Sequence, residues 1–190
     1  MVKLALIMAE DKVKKRRFKT GLVQIFAGDG RGKTSAALGT AIRAAGYGLR
    51  VFIVFFMKAR QALGEYKILT DLPNVDWEAY GRPSFLKLSE AGPEDRELGR
   101  KALKVAEEAV MSGRYDLVVL DEVNNAATFN IVDIEAVKKL IKEKPPEVEL
   151  ILTGRFGSPE LYQLADMITE LKSVKHPFDK GIPARKGIDF

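Results

Sequence analysis

The sequence predicts an α/β fold in three layers, with a mainly parallel sheet between two layers of helices. Three observations predict it. Short apolar runs of strand length alternate with longer amphipathic stretches along the chain, the order that builds right-handed βαβ units. Two runs, "RVFIVFF" (50–56) and "YDLVVLDE" (115–122), are apolar almost throughout, as strands covered on both faces are. An earlier apolar run, "GLVQIFA" (21–27), is joined to the first helix by a glycine-rich turn, "AGDGRGKT" (27–34).

The elements follow in order. "GLVQIFA" (21–27) reads as a buried strand, and "KTSAALGTAIRAAG" (33–46) as a helix. Ala36, Ala37, Thr40, Ala41 and Ala44 share one side of that helix, and Gly46 and Gly48 end it. "RVFIVFF" is the second strand. The stretch 57–93 is less regular, with "VDWEAY" (75–80) the candidate strand within it. A helix from Pro93 to Gly113 carries acids in its first turn and an apolar stripe of Leu98, Ala102, Val105, Ala106 and Ala109. The strand 115–122 comes next, then a helix "DIEAVKKLIKEK" broken by Pro145-Pro146, and the strand "VELILTG" (148–154). A short helix "SPELYQLAD" and a last strand "MITELKSV" (167–174) complete the list.

A chain of 190 residues with 46% hydrophobic content buries enough for one compact domain, expected over 20–190. Residues 1–19 form a basic arm with seven Lys/Arg and two acids, so the net charge of +5 sits there and the body is neutral. The run "KVKKRRFK" is too short to make nucleic acid the expected partner; a solvated tail, or a segment folded over an anionic ligand, accounts for it equally well. The absence of cysteine excludes disulfides, thiolate metal sites and a cysteine nucleophile. "LALIMA" is too short for a signal core or a membrane span, so a soluble, cytoplasmic protein with no membrane partner is expected.

The strand–loop–helix order around 27–34 is that of a phosphate-binding loop, which refines the fold to P-loop NTPase-like, with a RecA-like order of motifs. Gly28, Gly30 and Gly32 let the backbone curl around an anion, and the helix beginning near Lys33 adds its positive end. Lys33 supplies a point charge for phosphate, and the Thr34 hydroxyl is placed for Mg²⁺. The usual pattern would put glycine at 27, where this chain has Ala27. Asp121 and Glu122 end a buried strand at the sheet edge where such folds bind ligands, and complete the candidate metal set with Thr34. No Gln or His follows Asp121-Glu122 to position water, which weakens a plain hydrolase.

The tail "TGRFGSPELYQLADMITELKSVKHPFDKGIPARKGIDF" (153–190) resembles the C-terminal signature of the P-loop-type ATP:cob(I)alamin adenosyltransferases. "GDGRGKT", "GYGLRVFIVFFMK", "GEYKIL" and "YDLVVLDEVN" fall in that family's order, so the resemblance covers roughly 20–190. It implies transfer of the 5′-deoxyadenosyl group of ATP to the reduced cobalt of a corrinoid, cobalamin or a precursor, with triphosphate as leaving group. ATP and corrinoid are then the substrates and Mg²⁺ the cofactor. The resemblance further implies that Gly28, Asp29, Gly30, Arg31, Gly32, Lys33, Thr34 and Ser35 bind the triphosphate, joined by Arg43 and Arg155. Lys33, Thr34 and Glu122 are the implied catalytic residues. Glu65 falls in a matching "GE" pair, and His176, the only histidine, is read as structural or part of a lid. A homodimer and a flavoprotein electron donor are implied in the same way.

On the corrinoid side the chain departs from its relatives. Many carry a G-F-x-W segment that displaces the lower axial base of the corrinoid; here the region reads "AYGRPSFLK". Phe85 and Tyr80 are the candidate corrinoid contacts, with Trp77 upstream, and core packing is the alternative for each. Two other functions stay open at this point: a P-loop ATPase acting on nucleic acid, which the basic arm motivates, and a nucleotide-binding protein without a corrinoid site, which "GRPSF" motivates.

Overall fold

The computed structural model describes residues 18–59, 64–82 and 91–189. Phe85 and nearly all of the basic arm lie outside the described residues. Six strands form one sheet, all neighbours parallel, in the order β3-β2-β4-β5-β1-β6. They are β1 (Val23–Ala27), β2 (Val51–Phe56), β3 (Val75–Tyr80), β4 (Leu117–Asp121), β5 (Glu149–Thr153) and β6 (Met167–Glu170). The helices are α1 (Lys33–Gly46), α2 (Glu65–Asp71), α3 (Pro93–Met111), α4 (Val123–Thr128), α5 (Ile134–Glu143) and the single turn α6 (Pro159–Tyr162). A 3₁₀ turn at Pro177–Lys180 lies in the tail.

The apolar runs are continuous because both faces of the sheet are covered. On β2, Phe52, Val54 and Phe56 join one core with Val118, Leu120, Leu150 and Leu152, closed by Ala102, Ala106, Ala109 and Val110 of α3. Val51, Ile53 and Phe55 face the other way, with Val119 and Ile151, against Ala37, Leu38 and Ala41 of α1 and Tyr66 and Leu69 of α2. The period-two alternation of side chains thus divides one strand between two cores. α1 presents mostly alanine to the sheet, which brings its axis, and the loop before it, close to the strands.

Two helices went unread in the sequence. α2 is seven residues and α4 six, below the length at which periodicity speaks. α4 contains two asparagines and depends on burial of Val123, Asn124, Ala126 and Ala127 rather than on propensity. The buried stripe of α3 also lies slightly round from the expected one: Gly99 and Val110 are buried, whereas Leu98 and Val105 are half-buried. A side chain at 99 would meet the backbone carbonyl of Ile131 at 2.6 Å, so glycine lets the loop after α4 lie against α3. β6 ends at Glu170, four residues short of its expected end, because β1, its only strand neighbour among the described residues, ends opposite it at Ala27 and turns into the glycine-rich loop.

Candidate active site

The strand order puts β5 between β4 and β1 and makes β6 the outer neighbour of β1. The carboxyl ends of these four strands therefore converge, and most features of the site hang from them.

The loop between β1 and α1 is threaded against the exit of β6. Leu171 N donates to Ala27 O at 2.8 Å, and Gly30 N donates to Leu171 O at 2.7 Å. A Cβ on Gly28 would lie 2.3 Å from Leu171 O, and one on Gly30 would lie 2.7 Å from it. Those two glycines are required by close backbone approach, and Gly32, at φ 113°, by the left-handed turn into α1. Gly28 N is engaged as well, donating to Arg155 O at 3.2 Å. The sequence reading aimed these amides at an anion, whereas here Gly28 and Gly30 bond across to Arg155 and Leu171, just beyond β5 and β6. The amides of Lys33, Thr34 and Ser35 open α1 ahead of its first bond back to the loop, Ala36 N to Gly32 O, the positions at which a helix has no internal acceptor for its N–H groups.

Lys33 folds back to donate to Gly30 O at 2.7 Å. Burial lowers its pKa, with Glu122 opposing. Asp29, at the loop tip, accepts from Ser173 N at 3.0 Å, and this bond holds its carboxyl below the usual range. Arg31 reaches the end of the tail, where it pairs with Asp189 at 3.2 Å and donates to Ile188 O. Ser35 is exposed.

Asp121 is completely buried. Thr153 Oγ1 donates to its Oδ1 at 2.7 Å while accepting from Glu122 N at 2.9 Å. Its other oxygen accepts from Lys58 Nζ, which also donates to Thr34 Oγ1 at 3.1 Å. One ammonium thus touches both the hydroxyl of the phosphate loop and the acid of β4. Burial works against the charge on Lys58, but Asp121 and Glu122 outweigh it and raise its pKa. Glu122 is held in the left-handed conformation, φ 64°, and accepts from Asn125 Nδ2. Burial, then the neighbouring Asp121, push its carboxyl above the usual range, and Lys58 and Lys33 oppose them.

Arg155 follows β5, and its N–H donates at 2.7 Å to the Oδ1 of Asn125, which also accepts from Phe156 N. A Cβ on Gly154 would lie 2.6 Å from that of Asn124, so the turn between β5 and Arg155 leaves no room for a side chain. Gly28, Asp29, Arg155, Phe156, Glu170, Lys172 and Ser173 line an open cleft of about 490 Å³.

The structure therefore gathers Gly28 to Thr34, Asp121, Glu122 and Arg155 into one site. It does not bring Arg43 there. Arg43 lies in the last turn of α1, ten residues from Lys33, or about 15 Å along the helix axis at 1.5 Å per residue, where its charge suits the negative helix end. Tyr80 closes β3 half-buried, donating to Glu78 and packing on the core. Trp77 stacks on Tyr66, with ring centroids 4.4 Å apart. Glu65 opens α2 and is one of the acids whose charge acts on Lys58. His176 caps the 3₁₀ turn, its Nδ1 accepting from Phe178 N at 3.2 Å.

Lys58 is the residue the sequence reading missed. Its signals are its place just beyond a buried strand and at the end of the family-like segment "GYGLRVFIVFFMK", and they gain meaning once β2 is known to lie beside β4.

Among the described residues no cluster of three or more His, Cys, Asp or Glu stands ready to hold a metal. A hard cation would have to combine the Thr34 hydroxyl and the β4 carboxylates with oxygens of its ligand and of water. Oxygen-only donors already bridged by one cationic group fit that requirement.

Comparison with known proteins gives a consistent result. Residues 19–190 match the family described as ATP:corrinoid adenosyltransferase BtuR/CobO/CobP. The corrinoid adenosyltransferase of Escherichia coli K12 is 32% identical over 179 residues, covering 94% of this chain and 90% of that protein. That of Pseudomonas aeruginosa PAO1 is 32% identical over 184 residues, covering 96% and 90%. The corrinoid adenosyltransferase CobA of Salmonella typhimurium LT2 is 31% identical over 179 residues, covering 94% and 90%.

Proposed function

This chain belongs to the ATP:corrinoid adenosyltransferase family, and from that premise we propose how its residues carry the transfer and which of them bear each part of it. The family is one of enzymes, transferases that act on ATP and a corrinoid in making adenosylcobalamin. In the reaction, reduced cobalt supplies the electron pair that forms a bond to C5′ of ATP. The C5′–O bond breaks, and its electrons leave with the triphosphate. No protein base is required, which agrees with the lack of a water-positioning residue beside Asp121-Glu122.

The observation that carries this reading is the meeting of the phosphate loop with the tail. Arg155, Phe156, Glu170, Lys172 and Ser173, all within the segment that resembles the family signature, line one cleft with Gly28 and Asp29. A segment specific to the transferases thus faces the loop that holds a leaving group. The amides at the start of α1, with the Lys33 ammonium, bind the triphosphate, and Lys33 is released from Gly30 O to do so. Arg155, on the cleft wall, contributes a second positive charge, and Arg31 a third when it parts from Asp189. These charges favour the products because negative charge builds on the bridging oxygen as the C5′–O bond breaks.

Mg²⁺ is assigned to Thr34 and Asp121, with Glu122 beside them, where it would act as a Lewis acid on the phosphate oxygens. Thr153 fixes the orientation of Asp121, and Asn125 that of Glu122. Residues 171–189 are assigned as a segment covering the substrates. Its exposed Val174, Phe178, Ile182 and Ile188 give it apolar side chains to lay against a substrate. Met167 and Ile168, exposed on the edge strand β6, support a homodimer. Tyr80 and Phe85 remain the assigned corrinoid contacts, a flavoprotein the assigned electron donor, and the cytoplasm the assigned compartment. No helix among the described residues is long and apolar enough to cross a membrane.

The test is anaerobic. Protein, MgATP and chemically reduced cob(I)alamin are mixed, and the visible spectrum is followed for a light-sensitive cobalt–carbon product. Wild-type protein is expected to form it. Lys33→Met should bind ATP about 10- to 150-fold more weakly, the loss that goes with a charge-assisted hydrogen bond of ~1.5–3 kcal/mol. Binding of ATP with no alkylated corrinoid would overturn the assignment of a corrinoid site to this chain.

A further inference from the structure

Lys58 is held in place more firmly than a surface ion pair needs. Met57, between β2 and Lys58, adopts φ 58°, one of three non-glycine residues at positive φ among the described residues. Glu122, on the other side of the same site, is another. Such conformations are costly for a side chain with a Cβ and persist where the surrounding structure imposes them. Gly81, just past β3, presses on this turn: a Cβ there would lie 2.3 Å from Lys58 N and 2.4 Å from Met57 C. Phe55 and Asp121 are register partners on β2 and β4, so the chain emerging from β2 passes over Asp121, with Nζ 5.6 Å from the Phe55 ring centroid.

The ammonium so placed bridges Thr34 Oγ1 and Asp121 Oδ2. These are the oxygens assigned above to the divalent ion. Ammonium and metal ion therefore compete for one position, and both charges cannot occupy it.

We propose that Lys58 is a tethered counter-cation of the metal site: the divalent ion enters only by displacing its ammonium, and does so readily only together with a triphosphate. Asp121 is wholly buried, and its charge is compensated by Lys58 until the ion replaces it. A lone divalent ion must expel the ammonium toward Glu65 and Glu122, which already act on it. A triphosphate arriving with the ion offers the displaced ammonium several more negative charges a few ångströms away, on the same flexible stem. The metal is thereby loaded with the nucleotide rather than ahead of it, and the site gains a second lysine beside the leaving group. Lys58 is a positioning residue for the ion as well as a neighbour of the triphosphate.

The inference rests on the assignment of the ion to Thr34 and Asp121, and the experiment separates the two. Mn²⁺ serves as the probe, with free ion followed by electron paramagnetic resonance, in wild type, Lys58→Met and Lys58→Arg, each with and without ATP. Without nucleotide, Lys58→Met is expected to bind Mn²⁺ at least tenfold more tightly than wild type. Lys58→Arg, which keeps the charge, should stay as weak as wild type. Mn²⁺ should also raise the melting temperature of Lys58→Met more than that of wild type, since the ion there restores the missing compensation. Equal Mn²⁺ affinity in wild type and a folded Lys58→Met, with wild type binding Mn²⁺ in the presence of ATP, overturns the proposal and leaves the ion assignment standing. Failure of wild type to bind Mn²⁺ even with ATP overturns both. Should Lys58→Met not fold, the Cε–H resonance of Lys58 in wild type decides, assigned by its loss in Lys58→Arg. It must shift when Mg²⁺ and ATP are added together and not when Mg²⁺ is added alone, and an unmoved resonance under both conditions overturns the proposal.

Discussion

Glu122 shows how much a single residue of this site is worth in both stability and chemistry. Its carboxyl is held above the ordinary value of 4.5 by burial and by Asp121. The folded chain thus binds this proton more tightly than the unfolded one. The associated stability is fully present below pH 4.5 and is lost as pH rises through the raised folded value. Glu122→Gln mimics the protonated form at every pH. Without added metal it should melt above wild type at pH 7, by about 2–4 °C for each kcal/mol relieved in a chain of this size. The two curves should converge as pH falls to 4.5, and adenosyl transfer should drop sharply in the variant. Parallel melting curves across that range would contradict the account of Glu122. The sequence placed Asp121 and Glu122 at a strand end, and the structure keeps them there. The sequence could not divide their roles, because much of the difference lies in Thr153 and Lys58, both far from them along the chain. Arg43 shows the converse: a matching position in a motif does not place a side chain, and the length of α1 carries this one to the far end.

At the scale of elements, the phosphate loop is shaped from outside as well as from within. Glycines at 28, 30 and 32 were legible as a loop that curls. What they accommodate was not legible, because the backbone pressing on Gly28 and Gly30 belongs to Leu171 and Lys172, about 140 residues further on. This predicts opposite outcomes for two identical substitutions in one strand–loop–helix unit. Gly30→Ala puts a Cβ 2.7 Å from Leu171 O, a backbone atom that must move, and should destabilise the protein by roughly 1–3 kcal/mol while weakening ATP binding. Gly39→Ala, mid-helix on α1 with nothing within 4 Å, should stabilise it by about 0.5–1 kcal/mol. Denaturant melts of the two variants check the pair, and a shared sign would contradict the packing described. The register explains why β6 stops early: β1 ends at Ala27, opposite Glu170, so Leu171 makes the last ladder bond, to Ala27, and its carbonyl accepts from Gly30 of the loop.

For the whole molecule, the continuous apolar runs were sufficient to give a parallel sheet with two covered faces. They did not give strand order, which depends on which helix crosses which face. Strand order is what makes the site: β1, β4, β5 and β6 deliver the loop, the acids, Thr153 with Arg155, and the inner end of the tail to one rim. β2 then adds Lys58 from the neighbouring position. The resulting assembly concentrates positive groups where a polyphosphate must lie. Its central consequence is that the triphosphate leaves intact. The most direct measurement is ³¹P NMR of the products formed anaerobically from MgATP and cob(I)alamin, scored against the cobalt–carbon bond formed. One triphosphate for each alkylated cobalt is the predicted result. Orthophosphate and ADP with no alkylated corrinoid, above all if nucleic acid stimulated their release, would contradict the account.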